Sequence, residues 1–213
     1  MTDLTKCSMT SSEEPAPRYC MGVDIGMRNL ALSVVDSRTM TTVYLDVWDI
    51  LLQRSQLDES ALSARQEKKL NKKCTKKASV YDLVEGVCTT LRTLHAQVPE
   101  MEHVCHVMIE NQPHYKLPHM KNIAVAIHTF YTLTLPGCRV QYMQSMSKFN
   151  GMRIEKSRLK KYNDRKRVAV ECCIDQMEGH NDVIGMSHLA LFKKKDDLAD
   201  AYLLALQGVS TLV

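Results

Sequence analysis

At 213 residues, with 45% hydrophobic and 24% charged residues, the chain is long enough for one domain with a full core; its composition is globular rather than disordered or collagenous. Net charge is only +4 at pH 7, no apolar run is long enough to span a membrane, and the N-terminus lacks a signal peptide, with Asp3, Glu13 and Glu14 also arguing against a mitochondrial presequence. The cysteines (Cys7, Cys20, Cys74, Cys88, Cys105, Cys138, Cys172 and Cys173) form no Cys-x-x-Cys pair, which excludes the common zinc patterns and fits reduced thiols in an intracellular protein.

Residues 1–18 are rich in Ser, Thr and Pro and read as a disordered tail. Three strands follow, over Tyr19–Ile25, Leu30–Val35 and Thr42–Trp48, joined by short turns as in an antiparallel meander. A linker covers about Gln53 to Ala78. Within it, Arg65 to Lys77 carries seven Lys or Arg against one Glu. Val80 to Leu94 shows a helical apolar stripe, and Pro99 closes it. Val104 to Ile109 is apolar and β-branched, as expected of a central strand. Met120 to Leu135 reads as an apolar helix, ended by Pro136-Gly137, and Arg139 to Met143 as a fifth strand. Arg153 to Arg167 is the second basic block, with eight Lys or Arg against two acids. Two helices, Arg165–Met177 and Asp197–Gln207, complete the series. His103 and His106 open an apolar run and read as structural residues rather than ligands. Three strands, then helix, strand, helix, strand, helix, predict an α/β domain with a mixed five-stranded sheet in the order of the RNase H-like fold, over residues 19–208, with 209–213 as a C-terminal tail.

Four acids stand out. Asp197 and Asp200 lie one helical turn apart, so both carboxylates face the same way on a mostly apolar helix. Taken alone they also suit a solvated helix start, with Asp196 as its N-cap. Asp24 interrupts an apolar strand and precedes Gly26, which permits close approach of backbone or phosphate. A simple strand-end turn is the alternative. Glu110 ends the Val104–Ile109 strand, and strand ends are where open α/β sheets bind ligands, although such a Glu is often merely solvated. If the two strands are neighbours, the four acids converge. Four carboxylates in one pocket suit two divalent cations about 3.5–4 Å apart. An all-oxygen donor set favours Mg²⁺, with Mn²⁺ as substitute, over zinc.

Val23-Asp24-Ile25-Gly26-Met27-Arg28-Asn29-Leu30-Ala31, Ile109-Glu110-Asn111-Gln112 and Lys195-Asp196-Asp197-Leu198-Ala199-Asp200-Ala201, in that order, resemble motifs of the poxvirus-type Holliday junction resolvases, viral relatives of bacterial RuvC and of the mitochondrial resolvases. Met146-Ser147-Lys148-Phe149 and Arg165-Lys166-Arg167-Val168-Ala169-Val170 extend the similarity, which runs from about Tyr19 to Gly208. The tail and the lysine-rich insert depart from the compact family pattern. The resemblance implies an RNase H-like homodimer that cuts four-way DNA junctions with paired symmetric nicks. It makes Asp24, Glu110, Asp197 and Asp200 the ligands of two metal ions and Lys166 the catalytic lysine, with Lys160 and Lys161 close by as alternatives. Lys148, Arg153, Lys156, Arg158, Lys160, Lys161, Arg165 and Arg167 would bind DNA. Tyr115, Phe149 and Tyr162 interleave with basic residues and could stack on an unpaired base, ordinary loop packing being the alternative. Met120, Ile123, Ala124, Ile127 and Tyr131 form a helix stripe suited either to a dimer interface or to the monomer core. No membrane or small-molecule substrate is expected. The resemblance places the protein in the host cytoplasm or at a viral replication site, with nucleus or mitochondrion as alternatives. Another RNase H-like nuclease (RNase H or exonuclease type) and a non-catalytic junction-binding scaffold compete with this reading. An actin-like ATPase or sugar kinase is excluded because those folds duplicate the domain.

Overall fold

The computed structural model describes residues 18–55, 78–111 and 118–212. Six strands form one sheet in the order β4-β3-β2-β1-β5-β6. They are β1 Tyr19–Ile25, β2 Asn29–Asp36, β3 Thr42–Asp49, β4 Arg54–Ser55, β5 Val104–Glu110 and β6 Arg139–Met143. β1 to β3 make the expected antiparallel meander, and β5 and β6 add in parallel beyond β1. The five expected strands are therefore present, and β4 adds a two-residue ladder to the edge of β3.

Helices α1 (Val80–Gln97) and α2 (Pro118–Thr134) cover one face of the sheet. Helices α3 (Tyr162–Gly179), α4 (Val183–Leu191) and α5 (Asp196–Ser210) cover the other. Ser79 and Asp82 start α1 with reciprocal capping bonds. The stripe Met120, Ile123, Ala124, Ile127 and Tyr131 faces the sheet and is 0–6% exposed, so these residues are core and do not form a dimer interface. Helix α4 was not expected. Its nine residues are too short for a clear stripe, and Asp182 holds it by accepting from Gly185 N at 2.8 Å while also accepting from Thr42 N and Oγ1 at 2.9 and 2.6 Å.

Side-chain alternation sorts the central strands between the two faces. On β1, Met21 and Val23 join the α1–α2 core, while Cys20 joins the α3–α5 core. Gly22 and Asp24 share the parity of Cys20. Helix α5 lies directly on this row. A Cβ on Gly22 would fall 1.9 Å from Ala201 O and 2.5 Å from Ala205 N, so only glycine admits the helix. Gly208 serves the same contact, since its Cβ would lie 2.9 Å from Met108 Cγ. It is buried inside α5, which ends at Ser210 rather than before Gly208, and residues 209–210 belong to the helix. The buried His106 approaches Gly208 O with Nδ1 at 3.2 Å and is structural. The expected disordered tail (apart from Arg18), the lysine-rich insert, Gln112 and Tyr115 lie outside the described residues.

Candidate active site

The register places Val23 opposite Ile109, so Asp24 and Glu110 stand one step further on, at the carboxyl ends of adjacent parallel strands and on the face that α5 covers. One turn of α5 brings Asp197 and Asp200 over them. All four carboxylates line one pocket of about 510 Å³. The turn that follows β1 closes one side, with Gly26 N donating to Asn29 O at 2.8 Å. A Cβ on Gly26 would lie 2.7 Å from that same oxygen.

The electrostatics are those of crowded, desolvated acids. Burial, then the charges of Glu110, Asp200 and Asp197, push the Asp24 carboxyl well above the usual carboxylate range. Burial also raises Asp200, to about 6, against the opposing pull of Lys148. Lys148 is the main departure from expectation. Read as a DNA contact, it is instead 4% exposed and sits among the acids, with Nζ 2.7 Å from Asp200 Oδ2 and 3.5 Å from Glu110 Oε2. A 3-10 turn over Ser147–Phe149 carries it inward, with Phe149 packed in the core at 6% exposure and so removed from any stacking role.

The other basic residues separate into three groups. Arg165 and Lys166 line the pocket, whereas Lys160 and Lys161 are exposed and lie off its wall. Arg153 and Lys156 are exposed. Arg158 and Arg167 are exposed too but bridge to Glu171, and Arg167 also to Asp164 at 3.2 Å. Tyr162 opens α3 at the pocket wall, 62% exposed, with Lys166 Nζ 5.1 Å and Arg165 Cζ 5.8 Å from its ring centroid.

Asp196 is the first residue of α5 and not its N-cap. Its carboxylate pairs with Lys166 and, at 3.6 Å, with Lys194, and the N-cap position falls to Lys195, which makes no side-chain capping bond. Those cations hold its pKa below the usual range despite burial. Two charged pocket residues carried no assignment from sequence. Lys194 pairs with Asp197; the run Lys193-Lys194-Lys195 just before the acids was its signal. Arg28 is bound through Nε to Asp49 at 2.6 Å, and Asp49 in turn accepts from Leu51 N and Leu52 N. Its place in the first motif was the signal.

As placed, no three His, Cys, Asp or Glu side chains among the described residues gather around one point as metal ligands do, and lysine ammonium groups lie between the acids instead. The donor set nevertheless suits a hard cation. It is all oxygen, and Asp200 Oδ1 is buried without a partner.

The profile of the poxvirus A22 protein matches residues 19–211. The chain belongs to that family. Over 113 residues it is 28% identical to the uncharacterized protein L451 of Acanthamoeba polyphaga mimivirus, a stretch covering 46% of this chain and 27% of that protein. The chain thus matches about a quarter of the length of this viral relative. Among solved structures it superposes on the yeast mitochondrial Holliday junction resolvase Ydc2 with a TM-score of 0.53 at 13% identity, covering 89% of this chain and 78% of that one. Thermus thermophilus RuvC in complex with a Holliday junction substrate gives 0.48 at 15% identity, covering 89% and 90%. The fold of the A22 family member described here is therefore the RNase H-like fold expected from its element order.

Proposed function

We propose that this protein is a structure-selective endonuclease that resolves four-way DNA junctions by paired, symmetric nicks. The observation that carries the reading is the convergence of Asp24, Glu110, Asp197 and Asp200 from two strands and one helix into a single pocket walled by Arg165 and Lys166. Family membership and a fold shared with a Holliday junction resolvase support the choice of substrate.

Asp24, Glu110, Asp197 and Asp200 would hold two Mg²⁺ ions, with Mn²⁺ as a substitute. When bound, such ions supply an activated water and offset charge on the leaving 3′-oxygen. The chain's own residues do the rest. Asp196 holds the Lys166 ammonium at the pocket wall, beside the Tyr162 ring, keeping it protonated despite partial burial. From there it neutralises non-bridging phosphate oxygens as their charge grows. The exposed ring of Tyr162 is a stacking platform for a base. Among the described residues of the basic block, Arg153, Lys156, Lys160 and Lys161 make no ion pair and are offered to the diverging strands, with Arg158 and Arg167 partly engaged by acids.

Symmetric nicks need two pockets related by a two-fold axis. An apolar groove of about 790 Å³ runs between the outer sides of α1 and α2, lined in part by Tyr81, Val84, Cys88, Val125, Phe130 and Leu133. Tyr81, Val125 and Leu133 are 84%, 51% and 75% exposed, and we assign the homodimer contact to this groove. Membership of a poxvirus family supports action in the host cytoplasm, at a viral replication site.

The test is a cleavage assay on four-way junctions, RNA–DNA hybrids and linear duplex. Paired nicks on the junction alone, requiring Mg²⁺, are expected. Glu110→Gln should abolish cutting while leaving junction binding in Ca²⁺ intact. Preference for hybrid or linear duplex would replace the substrate, and cutting by Glu110→Gln would remove the metal-site assignment.

A further inference from the structure

Lysine is almost never fully buried unless paired, and Lys148 is buried between two acids that arrive from different elements, Glu110 from β5 and Asp200 from α5. Its backbone is fixed, because the turn that carries it is anchored by the core residue Phe149 and closed by Asn150 N donating to Ser147 O at 3.0 Å. Its charge also acts on Asp24, the third acid of the group. One ammonium thus answers three carboxylates. It does so while leaving Asp200 Oδ1 buried and without a hydrogen-bond partner, an oxygen open to a further ligand.

An ion shared by Glu110, Asp200 and Asp24 needs oxygen ligands at roughly 2.0–2.1 Å. The ammonium now lies between two of those oxygens, and two cations cannot occupy one gap. We infer that Lys148 is a resident cation that stands in for the divalent ion, holds the acids together in the metal-free protein, and yields its place when the ion binds. This rests on reading the four acids as metal ligands. Lys148 is then a positioning residue. It weakens metal affinity, and in exchange it spares the empty pocket the repulsion of four neighbouring carboxylates. Once displaced, its short tether leaves the ammonium at the pocket wall, facing any phosphate there.

The experiment measures Mn²⁺ binding to the DNA-free chain by calorimetry and electron paramagnetic resonance, for the wild type, Lys148→Met and Lys148→Gln. Both variants should bind Mn²⁺ at least tenfold more tightly. In EDTA they should melt several degrees below the wild type and gain more from added Mn²⁺. Equal or weaker Mn²⁺ affinity in the variants overturns the inference while leaving the metal site standing. Absence of Mn²⁺ binding in every protein removes both. Should neither variant fold, lysine acylation of the wild type read by mass spectrometry decides. Lys148 should be protected in EDTA and modified at least tenfold faster in saturating Ca²⁺, and an unchanged or slower rate overturns the inference.

Discussion

At the scale of single residues, the pocket trades stability for chemistry. Asp24 is charged at neutral pH only against burial and three like neighbours. The sign follows from proton linkage: a carboxyl whose folded pKa is raised binds a proton in the folded state that the unfolded state has released. Its contribution to stability therefore falls as pH rises from its ordinary value of 3.8 through the raised folded value. Asp200 acts in the same direction over the window from 3.8 to about 6. Asp24→Asn should accordingly raise the melting temperature in EDTA at pH 7 while abolishing junction cleavage, and its advantage should vanish toward pH 4. Calorimetric scans of both proteins across that range are the check, and a lower melting temperature for the variant at pH 7 would contradict the linkage. Three of the four acids were legible because they break local rules: a charge inside an apolar strand, and a pair on one face of an apolar helix. Lys148 was not legible. It stands alone between Ser147 and Phe149, outside the basic block, and nothing in that local sequence tells that a turn carries its ammonium into the interior.

The elements set these residues in place through one close contact. Helix α5 reaches β1 only because Gly22 has no side chain and Ala201, Ala205 and Gly208 are small. Gly22→Ala puts a methyl group into helix backbone that cannot rotate away, so α5 must move. The expected loss is about 3 kcal/mol in urea unfolding, with cleavage lost as Asp197 and Asp200 shift from Asp24. A stability change within a few tenths of a kcal/mol would show that the helix is not held at this point. Helix α4 offers a contrast. Asp182→Ala removes its cap and the bonds from Thr42, and should cost about 2 kcal/mol in the same measurement. The strands could be read from apolar runs between short turns, and the first helix from its 3.6-residue stripe. Helix α4 could not, because nine residues with an internal Gly185 give no stripe. The α2 stripe was read correctly as apolar, but both sides of that helix carry apolar residues, so only packing assigned Ile123 and Ile127 to the core and Val125 and Leu133 to the surface.

For the whole molecule, the proposed resolvase activity depends on two copies and on a charged surface. Val125→Glu with Leu133→Glu should convert a dimer to a monomer by light scattering and replace paired nicks by slow, unpaired ones. A dimer that survives both changes would move the interface elsewhere. Junction affinity should fall steeply with salt in proportion to the phosphates contacted. Replacing Lys160 and Lys161 together by Gln should flatten the log–log slope by about 2. An unaltered slope would mean that these two lysines do not touch the backbone.

The pocket's charges are unequally supported. Asp24 ends a strand paired on both edges, Glu110 sits at the end of the strand beside it, and Asp197 and Asp200 ride a helix buried on nearly every side. The cations Lys148, Lys166 and Lys194 come from a single turn, from the second turn of a helix and from the loop ahead of another. Amide hydrogen exchange should therefore find Asp24 and Glu110 on segments that open last and Lys194 on one that opens first, with the anchored Lys148 turn between them. The negative half of the site is a fixed template cast by the sheet, while the positive half is adjustable and can shape itself to whichever strand arrives.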